Sequence, residues 1–135
     1  NRRERMNKAN ITIFGALERP PELKYLGGNA VLNMSVGVLK SKKDGDGNWA
    51  RDFVQWYRVT VWGELAEAIN QWDLKEGQGV EVTGTWPRVR EYKRQDGAAA
   101  YSLEFTAQLV EPVDIKGNRT RQAESTMSEA EDLRF

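Results

Sequence analysis

From Val54 to Trp62 the residues alternate in kind at almost every step, and a period of two dictates an extended strand with two different faces. Tyr57, Val59 and Val61 fall on one side, and Trp56, Arg58, Thr60 and Trp62 on the other. The first set suits a core. The second sets a guanidinium between two indoles, and large rings are costly to expose unless something covers them. A ligand with flat faces and negative charge would cover them, and unpaired nucleic acid has both properties. A second run, Trp86-Pro87-Arg88-Val89-Arg90-Glu91-Tyr92-Lys93-Arg94, puts Trp86, Arg88, Arg90, Tyr92 and Arg94 in phase, provided that the strand continues through Pro87.

Composition narrows the classes. A chain of 135 residues suits one domain with a modest core and a tail. It has no cysteine and no histidine. The first absence removes disulfides and thiolate chemistry, the second the usual general base and the commonest metal ligand. Neither an enzyme, a metal site nor a cofactor is expected. No apolar run approaches the roughly 20 residues of a membrane helix, and the first residues lack the apolar stretch of a signal peptide. The expectation is a cytoplasmic protein with no membrane contact.

The formal net charge is zero, whereas nucleic-acid binders are usually basic. Its distribution resolves the conflict. Residues 1–8 hold Arg2, Arg3, Arg5 and Lys8 against Glu4, and residues 88–94 hold Arg88, Arg90, Lys93 and Arg94 against Glu91. At the other end Glu124, Glu129, Glu131 and Asp132 face only Arg134. A basic body and an acidic end cancel, a segregation typical of interaction tails.

The periodicity predicts strands at about 9–17, 29–40, 53–62, 79–92 and 100–110. Pro20-Pro21 ends the first, and Leu32, Met34, Val36 and Val38 point inward from the second. Gly84 and Pro87 mark a bend or bulge in the fourth, and Tyr101, Leu103, Phe105 and Leu109 are in phase on the fifth. Residues 64–72 change period, with Leu65, Ala68, Ile69 and Trp72 on one helical face and Gly77 as a stop. Five strands with one helix between the third and fourth is the element order of an OB-fold barrel, an all-β class. Residues 1–111 are assigned to that domain and 112–135, too polar to fold alone, to a flexible linker and acidic tail.

The short runs Met6-Asn7-Lys8, Pro21-Glu22-Leu23-Lys24-Tyr25, Gly28-Asn29-Ala30-Val31, Trp56-Tyr57-Arg58-Val59, Trp62-Gly63-Glu64-Leu65-Ala66-Glu67 and Lys75-Glu76-Gly77-Gln78-Gly79-Val80-Glu81-Val82-Thr83-Gly84 follow one another as in bacterial single-stranded DNA-binding proteins. The chain resembles that family over about residues 6–110, with residues 1–5 as an extension. The resemblance implies an OB-fold, a homotetramer (or a dimer) and non-catalytic binding of single-stranded DNA in replication, recombination and repair, in a nucleoid-associated, cytoplasmic setting. It implies that Trp56, Arg58 and Trp62 bind the strand and that Tyr92 lies near a stacking aromatic. It also implies that the acidic tip, with Glu131, Asp132, Leu133 and Phe135, recruits replication and repair proteins.

Three positions depart from the family pattern. Lys42 stands where many members carry a stacking Trp, with Trp49 as a substitute in the following loop; Tyr57 stands where a His often makes a subunit contact; and Arg134 replaces the usual Pro of the tip. Lys42, Lys43 and Trp49 join Arg88, Arg90 and Arg94 as candidate contacts. Other readings compete: the Trp56 and Trp62 face as an oligomer interface, the arginine series as a solvated edge strand, and the whole chain as an OB-fold adaptor of the replication primosome acting through protein contacts. Asp44-Gly45-Asp46-Gly47-Asn48 resembles the start of a calcium loop, but Trp49 replaces its Gly and Gln55 its bidentate Glu, so a hairpin turn is expected.

Overall fold

In the computed structural model of the chain, residues 8–114 are described. The two ends, with Arg2, Arg3, Arg5 and the acidic tip at Glu131, Asp132, Leu133 and Phe135, lie outside them. The elements run β1 (Asn10–Leu17), β2 (Glu22–Leu26), β3 (Asn29–Lys43), β4 (Trp49–Trp62), α1 (Gly63–Gln71), β5 (Gly79–Lys93) and β6 (Ala99–Val113). The five expected strands and the helix are present in the expected order. The addition is β2, a short partner that pairs with the start of β3.

The strands close on themselves. Their order is β1-β5-β6-β4-β3-β2, and β1 also pairs with β3 at Ala16↔Gly37 and Leu17↔Val36. β4 and β6 run parallel, the other neighbours antiparallel. Closure brings two backbones together where β1 meets β3, and a β-carbon at Gly15 would run into the Gly37 carbonyl. Only glycine fits there. The result is the OB-fold barrel that the element order predicts.

Alternation fills the interior. Ile13 and Leu17, then Leu32, Met34 and Val36, Val59 and Val61, Val80 and Val82, and Phe105 form one core cluster. Ala66, Ile69 and Leu74 add to it from α1 and the turn that follows. The helix opens after Trp62 with Glu64 in its first turn, where a carboxylate favours the N-terminal dipole, and rests chiefly on β3.

Two expected phases shift. Ala68 is exposed because the buried face of α1 runs through Ala66 and Ile69, and Trp72 is exposed because α1 ends at Gln71 and Asp73 turns into the left-handed region at φ 54°. Leu74 then takes the inward place. On β6, Leu109 and Tyr101 are exposed. The register passes from Thr83↔Leu109 to Gly84↔Ala107, so Gln108 is an extra residue and Val110 becomes the inward one.

Beyond the barrel two hairpins project as exposed arms, the far parts of β3–β4 and of β5–β6. Each turn has the same chemistry. Asp44 accepts the backbone N–H groups of Asp46 and Asn48 at 2.9 Å each, with Gly47 at φ 83°. Asp96 accepts the N–H of Ala98 at 2.9 Å, with Gly97 at φ 87°. The Asp44 carboxylate serves the expected hairpin turn.

Candidate nucleic-acid interface

Strand register decides which side chains meet on the outer face. Along β4 the residues opposite β3 are Trp62↔Val31, Thr60↔Asn33, Arg58↔Ser35 and Trp56↔Gly37. On the other flank β6 sets Glu104 beside Arg58 and Thr106 beside Thr60. β5 then adds Arg88 opposite Glu104, Arg90 opposite Ser102 and Tyr92 opposite Ala100. Side chains directly opposite share a face, so two aromatic residues and the arginines flanking them share one sheet surface.

Trp56 is held by what is missing beneath it. A β-carbon on Gly37 would stand 2.7 Å from Cζ3 and 2.9 Å from Cη2 of the indole. The six-membered ring therefore packs against the β3 backbone at Gly37, with about half of the residue exposed (44%). Trp62 sits at the far end of the strand, opposite Val31, which is buried yet separate from the inner core cluster.

An open groove of about 670 Å³ runs along this surface, lined by Trp56, Arg58, Arg90, Tyr92 and Arg94 among others. A smaller hollow of about 320 Å³ continues it past Arg58 toward Arg19, Lys24, Asn33 and Thr60. Cations and rings thus line one path. Arg19 and Lys24 pair with Glu18 at 3.1 Å and Glu22 at 3.4 Å, exposed bridges that cost little to exchange for another anion.

Of the residues singled out from sequence, Trp56, Arg58, Arg90, Tyr92 and Arg94 come together in the groove, while Trp62 and Arg88 share the sheet face without lining it. Trp86 does not follow their phase. It lies with Pro87 in a bulge between Thr85 and Arg88, has φ 57° and donates its N–H to the Ala9 carbonyl at 3.0 Å. Lys42, Lys43 and Trp49 sit on the β3–β4 arm. There Lys43 Nζ stands 5.7 Å from the Trp49 ring centroid, a cation–π pair, and Lys42 pairs with Asp52 at 3.8 Å.

Sequence reasoning misses Arg19, Lys24, Ser35, Tyr101, Ser102 and Glu104, which also line this path. Strand alternation signals Ser102 and Glu104 only once β6 is aligned with β4 and β5. Arg19 and Lys24 had a weaker signal, their place beside the Pro20-Pro21 turn.

The profile of the single-strand binding protein family matches residues 6–113. The single-stranded DNA-binding protein of Xanthomonas axonopodis pv. citri (strain 306) is 31% identical over 108 residues, 79% of this chain and 58% of that one. This chain thus spans a little over half the length of that curated relative. Among solved structures, the small single-stranded DNA-binding protein from Streptomyces coelicolor matches with a TM-score of 0.67 at 21% identity, over 83% of this chain and 100% of that one. A Plasmodium falciparum SSB complex with ssDNA matches with a TM-score of 0.60 at 19% identity, over 78% and 94%. The structures share the fold, and the sequence matches carry the kinship: the chain belongs to the single-strand binding protein family.

Proposed function

We propose that the chain binds single-stranded DNA along the groove, with little regard to sequence and without covalent chemistry. Bases stack on Trp56, Tyr92 and Trp62, while Arg58, Arg88, Arg90 and Arg94 neutralise phosphates. Lys42, Lys43 and Trp49 extend the contact along the β3–β4 arm. The observation that carries this reading is the half-exposed Trp56 indole, seated against Gly37 in a groove that Arg58 and Arg90 also line. Duplex DNA is a poor ligand, because its bases are already stacked and offer no free faces.

The test is quenching of tryptophan fluorescence on titration with oligo-dT, repeated with duplex of equal length and at two salt concentrations. Quenching by the single strand alone, weaker in high salt, is the expected result. Unchanged fluorescence would favour the adaptor reading, in which these faces meet protein.

The wider role is the one the family resemblance implies: protection of single strands during replication, recombination and repair, in the cytoplasm at the nucleoid, by a homo-oligomer, a tetramer in the first instance. Light scattering tests the assembly. Glu131, Asp132, Leu133 and Phe135 are proposed to recruit replication and repair proteins. Deleting residues 124–135 should leave DNA binding intact or slightly stronger while abolishing capture of such partners.

A further inference from the structure

Among the described residues Glu104 is the one charged residue that is buried, at 8% exposure, and it is not part of the core. Its neighbour Phe105 faces the barrel interior, so Glu104 faces the groove, whose lining it joins. Arg58 flanks it from β4 and Arg88 from β5 in a single cross-strand row. Arg90 Nη1 stands 3.8 Å from Oε1, and the Ser102 hydroxyl donates to Oε2 at 3.0 Å. An acid between two arginines relieves a like-charge contact, which accounts for its place in the fold.

Its place in the groove has a second effect. Cations line the groove at Arg19, Lys24, Arg58, Arg90 and Arg94, and among them Glu104 sets a carboxylate largely removed from water. A phosphate set against that carboxylate, rather than against the arginines beside it, meets a like charge where screening is weakest. A base set there brings no charge, and its N–H groups can be accepted by the carboxylate oxygens.

We infer that Glu104 sets which way round a strand lies: bases toward its carboxylate, phosphates toward the arginines around it. The inference rests on the groove being the single-strand site. It makes Glu104 a specificity-determining residue that penalises a phosphate chain lacking bases.

The experiment compares binding of the full chain to labelled oligo-dT and to an abasic deoxyribose-phosphate strand of the same length. Glu104→Gln removes the charge and keeps an oxygen for Ser102. Its affinity for the abasic strand should rise about fivefold or more, the scale of one like-charge contact in water being the lower bound for a carboxylate so little exposed, with a smaller change for oligo-dT, so that the preference for bases narrows. Ser102→Asp places a second carboxylate two residues along the same face and should widen the preference, which keeps the test decisive if the Gln variant fails to fold. An unchanged ratio in the variant that folds, or equal weakening toward both strands, would reduce Glu104 to a structural ion partner. Failure of the unaltered chain to bind oligo-dT would instead sink the proposed function itself.

Discussion

The indole of Trp56 occupies the space that a side chain on Gly37 would fill, one strand away. If Trp56 stacks on a base as proposed, the pairing makes the glycine a determinant of binding although it offers no group to a ligand. Gly37→Ala should displace the ring from its present seat and weaken oligo-dT binding by about 1 kcal/mol or more, up to the full value of one stacked base. Titration of fluorescence quenching measures this, and a wild-type affinity would show that the ring's position is immaterial.

Trp56→Ala and Trp62→Ala should each cost about 1–3 kcal/mol of single-strand affinity. They differ in stability. Trp62 stands opposite the buried outer-face residue Val31, so its removal should also lower the urea midpoint, while Trp56→Ala should leave it nearly unchanged. Equal unfolding curves for the two variants would contradict this account.

Salt dependence counts phosphate contacts. Arg58→Gln and Arg90→Gln should each flatten the plot of log K against log salt by about 0.7, the single-strand value for one neutralised phosphate. Changes at Lys42, already paired with Asp52 at 3.8 Å, should flatten it less. Isotherms at four salt concentrations decide between them.

Barrel closure depends on Gly15. A β-carbon there collides with the Gly37 carbonyl, and backbone on both sides cannot step aside as a long side chain can. Gly15→Ala should therefore destabilise the fold by about 1–3 kcal/mol or more, read as a lower urea midpoint. A midpoint equal to the wild type would mean that β1 and β3 separate at no cost.

The strands were legible because alternating burial leaves its period in the sequence: Leu32, Met34 and Val36, or Val59 and Val61, cannot be read otherwise. Periodicity failed wherever one residue was added to a ladder. Leu109 reads as inward until Gln108 is seen to bulge, and Trp86 reads as a groove residue until its positive φ is known. The helix face failed at its end for a similar reason, since Asp73 turns the chain away just after Trp72. The groove was half legible. Trp56, Arg58, Arg90 and Tyr92 announce themselves by type and spacing, but Glu104 acquires its meaning from Arg58 and Arg88, residues 46 and 16 positions away that only tertiary pairing brings alongside.

The irregular peptide at Trp86 and Pro87 has an effect along the whole of β5. Below it the even-numbered residues Val80 and Val82 belong to the barrel; above it the even-numbered residues Arg88, Arg90 and Tyr92 belong to the outer face. One strand thereby changes allegiance midway, like a thread passed through cloth. Substitutions on the outer face and substitutions in the packing fall on separate stretches of the same strand, so the proposed binding surface can change without renegotiating the interior that keeps the chain folded.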